Sequence, residues 1–123
     1  IPWAKYRHYA PNAIVKMMSE KKIVMTHNPW KIYVSNKTYD KLSKSQKMNA
    51  SIIFLDHNNL KYQELQQLWY NLYEMFFDAD KQWYNEIIIQ EFAYTSKWLW
   101  ETVHNRIIKA MGEKKIICYV CFN

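Results

Sequence analysis

Six apolar residues, Leu65, Leu68, Trp69, Leu72, Tyr73 and Phe76, fall at the i, i+3, i+4, i+7 spacing of one helix face. A strand could not gather them, because its alternate side chains face opposite ways. The spacing predicts a helix from Leu60 to Phe77. Asp78-Ala79-Asp80 then reads as a corner, where either aspartate suits the N-cap and positive dipole end of a following helix. That second helix is predicted from about Lys81 to Met111. Tyr84, Ile88, Phe92, Thr95, Leu99, Val103 and Ile107 form one stripe along it, and Trp83, Ile87, Tyr94 and Trp98 a second. Such a rod would be ~45 Å long at 1.5 Å per residue and would need covering on two sides. Gly112 stands where a helix C-cap belongs.

A single glycine and three prolines leave few tight turns, which argues against a many-stranded β-sandwich or barrel. Ahead of the helices, Ala13, Ile14, Met17 and Met18 suggest one or two helical turns capped by Asn12. Lys22–Thr26 and Trp30–Ser35 read as a β-hairpin about His27-Asn28-Pro29. Residues 36–47 are polar and lysine-rich. Ile52 to Leu55 fits a buried strand or a short helix, which periodicity cannot separate at this length. Ile116–Phe122 reads as a terminal strand. The expected fold is therefore α+β, mainly α, in one domain: a basic segment with a hairpin over 1–46, a helical core over 47–111 and a terminal strand over 112–123.

The net charge of +6 is unevenly placed. Residues 1–60 hold ten Lys/Arg against three Asp/Glu, and residues 61–123 seven against eight. A basic first half suits an anionic partner such as nucleic acid, or a solvated surface that keeps an aromatic chain soluble. No apolar run approaches the ~20 residues needed to span a bilayer. Lys5, Arg7 and His8 interrupt the opening, so it does not read as a secretory signal. The first residue is Ile, so an upstream segment was removed or is not included; a cleaved targeting segment would imply a mitochondrial address. Two cysteines do not make a disulfide scaffold, and a reducing compartment is expected.

The motifs of chemistry are missing. Cys118-x-x-Cys121 lies inside an apolar run, where strand alternation separates the sulfurs, and no second pair exists to complete a zinc site. His8, His27, His57 and His104 are scattered, and no phosphate loop or nucleophile elbow occurs. The expectation is therefore of a non-enzyme with no catalytic, cofactor-binding or metal-ligating residue.

From Lys47 to about Trp98 the chain resembles an HMG box. Lys47-Met48-Asn49-Ala50-Ser51-Ile52-Ile53-Phe54-Leu55 is similar to the start of that family's first helix. Leu60-Lys61-Tyr62-Gln63-Glu64-Leu65 is similar to the start of its second, and Asp78-Ala79-Asp80-Lys81-Gln82-Trp83-Tyr84-Asn85-Glu86 to the start of its third. The resemblance implies three helices in an L on the DNA minor groove, with Ile52 as the wedge, Asn49 beside it and Lys47 on phosphate.

Two functions follow as expectations. One is a structural or accessory subunit of a large assembly, meeting other subunits through Trp83, Ile87, Tyr94 and Trp98, since interfaces favour aromatic residues. The other is a non-specific DNA-bending protein acting through Lys47, Asn49 and Ile52.

Overall fold

The stripe over residues 65–76 does form a helix, but that helix lies on a parallel β-sheet. A computed structural model describes residues 11–26, 30–93 and 97–111. Among these the strands are β1 (Ile14–Met18), β2 (Lys31–Ser35), β3 (Ala50–Phe54) and β4 (Glu86–Gln90). The helices are α1 (Glu20–Met25), α2 (Asn36–Tyr39), α3 (Lys44–Met48), α4 (Tyr62–Lys81) and α5 (Lys97–Met111). All strand pairs are parallel, in the order β1-β4-β2-β3. The architecture is α/β. It overturns both the mainly helical expectation and the HMG box, which has no sheet.

The two faces of the sheet are covered separately. Val15, Met17, Tyr33, Ile87 and Ile89 pack under α4 and α5, against Leu65, Leu68, Leu72, Phe76, Val103 and Ile107. Met18, Ile32, Val34 and Ile88 point the other way, toward Ile23 of α1 and Leu42. The alternation along β4 is the strand period of two. Connections that step from β1 toward β3 cross one face, and the return from β3 to β4 crosses the other, as a single hand of crossover requires.

The predicted helix over 81–111 is therefore divided. Ile87, Ile88 and Ile89 are all buried, at 1% exposure or less, inside β4. A strand of a parallel sheet is apolar on both faces and loses its alternating signature. Ile87 and Ile88 fell by coincidence on the two helical stripes, although β-branched residues favour strands. The hairpin is also corrected: residues 20–25 form α1, capped by Ser19, and β2 pairs only with parallel neighbours. The opening patch, Ile14 to Met18, is strand β1 rather than helical turns. Residues 52–54 belong to strand β3, and α4 ends at Lys81 rather than Phe77. Gly112, Cys118, Cys121 and the predicted strand Ile116–Phe122 lie outside the described residues.

Local chemistry sets the element ends. Ser43 accepts from Gln46 N (3.2 Å) and Gln46 Oε1 accepts from Ser43 N (2.8 Å), a reciprocal capping box at the start of α3. Gln46 Nε2 also donates to the carbonyls of Ile23 (3.0 Å) and Thr26 (2.6 Å), fastening α3 to the end of α1. After α4, Tyr84 N donates to Ala79 O (3.2 Å) and Trp83 N to Asp80 O (3.0 Å). Those are the two bonds of a Schellman stop, with Trp83 at φ 64° in the place that usually takes glycine.

Candidate functional site at the carboxyl ends of the strands

In open parallel sheets, ligands meet the carboxyl ends of strands where neighbouring connections leave for opposite faces. Here β2 leads to α2 and α3 on one face, and its neighbour β4 leads to α5 on the other. The crevice between their ends gathers side chains that are far apart in sequence.

Ser35 ends β2 and caps α2, its hydroxyl accepting from Thr38 N at 3.3 Å. The same oxygen lies 2.8 Å from His57 Nδ1 and 3.2 Å from Thr38 Oγ1. His57 Nε2 lies 2.9 Å from Glu20 Oε2, which also accepts from Thr38 Oγ1 at 3.0 Å. Lys41 closes the cluster on Glu20 Oε1. The Lys41 hydrogen bond, with help from Thr38 and His57, holds the Glu20 carboxyl below the usual carboxylate range against the opposing effect of burial. From β4, Gln90 Oε1 accepts from Ser35 N at 2.9 Å. One polar network thus binds the segments that follow β1, β2 and β3 to the end of β4. The backbone adds to it, with Ala93 N donating to His57 O at 2.7 Å.

Ser35, His57 and Glu20 stand in hydroxyl–imidazole–carboxylate order, the constellation of a hydrolytic triad. Yet Ser35 is fully buried, and its oxygen is engaged with Thr38 and His57. An attacking oxygen must reach substrate, and in this structure the Ser35 hydroxyl is enclosed. Two groups at the same edge have no hydrogen-bond partner among the described residues: Gln90 Nε2, on a fully buried residue, and Glu91 Oε1. Burial pushes the Glu91 carboxyl up, opposed by the charge of Lys22. Among the described residues no group of three or more His, Cys, Asp or Glu is placed to hold a metal ion. No helix among them is long and apolar enough to cross a membrane.

The residues singled out from the sequence lie elsewhere. Lys47, Asn49, Trp83 and Tyr84 sit at the opposite, amino end of the sheet, where Tyr84 Oη donates to Asn49 Oδ1 at 2.7 Å. Lys47 lies over the Tyr39 ring, its Nζ 5.5 Å from the centroid. Ile52 is half-exposed on β3, an outer strand of the described sheet. Ile87 is fully buried in β4, so it offers nothing to a partner. Tyr94 lies outside the described residues, as does the side chain of Trp98 in the first turn of α5. Sequence reasoning missed Glu20, Ser35, Thr38, His57 and Gln90. The only advance signal was local: Ser35-x-x-Thr38 and Ser43-x-x-Gln46 have helix-start spacing.

Residues 1–112 match the family described as threonylcarbamoyl-AMP synthase, C-terminal domain. The chain belongs to that family. Comparison with curated proteins and with solved structures gives no significant match. Membership corrects the functional expectations. A domain family of an enzyme replaces the non-enzymatic assembly subunit, and an α/β member of it replaces the DNA-bending HMG box.

Proposed function

We propose that this chain works as the C-terminal domain of a threonylcarbamoyl-AMP synthase, in the route to threonylcarbamoyl modification of tRNA. The family match over residues 1–112 carries this reading. The geometry supports one reading of the domain's share of the work. With the Ser35 hydroxyl buried and bonded, the chain supports the synthase by binding and positioning rather than by attacking substrate. The role asks for an intracellular setting and gives no ground for the mitochondrial one.

The test is threonylcarbamoyl-AMP formation by the whole synthase carrying Ser35→Ala. Where a triad serine is the nucleophile, its loss costs ~10⁶-fold in kcat. A supporting role predicts that the variant, once folded, keeps its rate within a factor of about ten, the equivalent of ~1.4 kcal/mol. A folded variant devoid of activity would make Ser35 catalytic and overturn the supporting role. An unmodified synthase that forms no threonylcarbamoyl-AMP would overturn the assignment itself.

A further inference from the structure

The helices on the two faces of the sheet differ in charge. Helices α1, α2 and α3, with the link between α2 and α3, carry Lys21, Lys22, Lys37, Lys41, Lys44 and Lys47 against Glu20 and Asp40, six basic residues against two acidic. Helices α4 and α5, on the other face, carry four basic residues against five acidic. One face therefore holds an excess of four positive charges, and the other is close to neutral. Lys16 of β1 adds to the first, its Nζ 5.3 Å from the centroid of the Trp30 ring, which packs in that face's core. Contacts between side chain and backbone join these short segments into one surface. Lys41 pairs with Glu20 of α1, and Gln46 of α3 donates to the carbonyls of Ile23 (3.0 Å) and Val24 (3.4 Å) in α1.

Several of these cations are available to a partner. Lys21 and Lys44 are exposed, and neither is paired with a carboxylate among the described residues. Lys47 is held over the Tyr39 ring, an attraction that uses none of the hydrogen bonds its ammonium can donate to an anion. An ammonium already placed by a ring loses less freedom when that anion arrives. Lys37 meets Asp56 only in an exposed pair at 3.5 Å, a weak competitor for another anion. Among the described residues the basic side chains of these helices are all lysines. Lysine meets phosphate as a point charge and lacks the planar fork with which arginine reads a guanine edge.

The charge calls for a polyanion, and the packing chooses among polyanions. A helix that lies on a bilayer must turn its apolar side to the lipid. Here the apolar side chains of the segment, Ile23, Val24 and Leu42, are turned onto the sheet. The three most exposed large apolar side chains among the described residues, Trp83 (89%), Met48 (81%) and Met25 (66%), lie at the amino-end rim of the sheet. A nucleic acid needs no such insertion, because its backbone offers phosphates in series to lysines spread over a surface. We propose that the α1–α3 face is where the synthase holds RNA, with Lys21, Lys44 and Lys47 on the phosphate backbone irrespective of base sequence. This inference rests on the synthase assignment, whose route ends in a modified transfer RNA. RNA on this face would leave the near-neutral face of α4 and α5 uncovered.

Binding of fluorescently labelled bulk transfer RNA to the whole synthase, followed by anisotropy over a salt series, tests it. Affinity should fall steeply with salt. In the triple variant Lys21→Gln/Lys44→Gln/Lys47→Gln it should be weaker by roughly tenfold or more, and the log–log salt slope shallower by about 2–3, near one per lost phosphate contact. Lys81→Gln/Lys109→Gln, exposed positions of α4 and α5, should bind as the wild type does. Acetylation of the unaltered synthase by a lysine-selective reagent, read by mass spectrometry, gives the same answer without mutation. Adding transfer RNA should protect Lys21, Lys44 and Lys47 and leave Lys81 and Lys109 as reactive as before. A wild-type synthase that forms threonylcarbamoyl-AMP but binds transfer RNA no better than the triple variant would overturn the RNA surface and leave the synthase assignment standing. Equal weakening by the α4–α5 variant, or equal protection of Lys81 and Lys109, would overturn the location. Binding to phosphatidylglycerol vesicles without binding to transfer RNA would also overturn it, since the partner would then be a membrane.

Discussion

The two ends of one sheet carry different chemistry. At the carboxyl end, Glu20, Ser35, Thr38, His57 and Gln90 are joined in one hydrogen-bonded network, and the segments between helices and strands are fastened by side chains. At the amino end the fastening is sparser and partly backbone-made: one carboxylate, one tyrosine hydroxyl, one carboxamide and a Schellman stop. Cations there lie over aromatic rings, with Lys31 Nζ 5.6 Å from the Tyr33 centroid and 5.8 Å from that of Tyr84. Burial lowers the Lys31 pKa, opposed by the charge of Asp78. The same burial pushes the Tyr33 hydroxyl well above its ordinary value, so it remains a protonated donor, to Met75 O at 2.7 Å. The difference shows that a parallel sheet can separate a polar rim from an apolar one simply by where its helices start and stop.

The contrast can be broken from either end. The largest effect should come from Asp80→Ala, which leaves the Asn12 and Ala13 N–H groups without their carboxylate. Hydrogen bonds to charged groups contribute ~1.5–3 kcal/mol each, and a urea midpoint falling by the equivalent of about 3 kcal/mol is expected. No change in midpoint would mean that the start of β1 is held by packing alone. At the carboxyl end, Ser35→Ala removes a helix cap, worth ~1 kcal/mol. Because the His57 contact goes with it, a loss of about 1–3 kcal/mol is expected in the same measurement.

Acid should distinguish the ends without mutation. Glu20 has a folded pKa below its unfolded value, so its contribution is present above the ordinary carboxylate pKa and is lost as pH falls through the folded one. Protection of the Thr38 amide against hydrogen exchange should therefore fall as pH drops below the ordinary carboxylate range, and Lys41→Met should move that onset upward. An onset unmoved by Lys41→Met would show that Lys41 does not set the Glu20 titration. Trp83→Gly should act in the opposite sense to the other substitutions. Relief of the left-handed strain is worth ~1 kcal/mol, and the domain's own midpoint should rise. The smallest effect belongs to Lys37→Ala, which opens an exposed 3.5 Å pair with Asp56. Its midpoint shift should be too small to resolve.

Some of this was legible in the sequence, and the reasons are physical. Helix α4 is amphipathic over its whole length, so Leu65, Leu68, Leu72, Tyr73 and Phe76 reveal both the element and its buried face. β4 hid because its three isoleucines are buried on both sides of the sheet, which leaves no alternation to detect. The carboxyl-end site hid for another reason. Its members come from positions 20, 35, 38, 57 and 90, and no local motif joins them.

Taken alone, the order of residues determined the α4 face and the shortage of tight turns, both properties of neighbours within a few positions. Tertiary structure decided that β4 would insert between β1 and β2, that His57 would join Ser35 to Glu20, and that Trp83 would remain in solvent. Those outcomes depend on which distant segments bury one another's surface, and the free energy of that choice resides in pairs of segments rather than in any one of them.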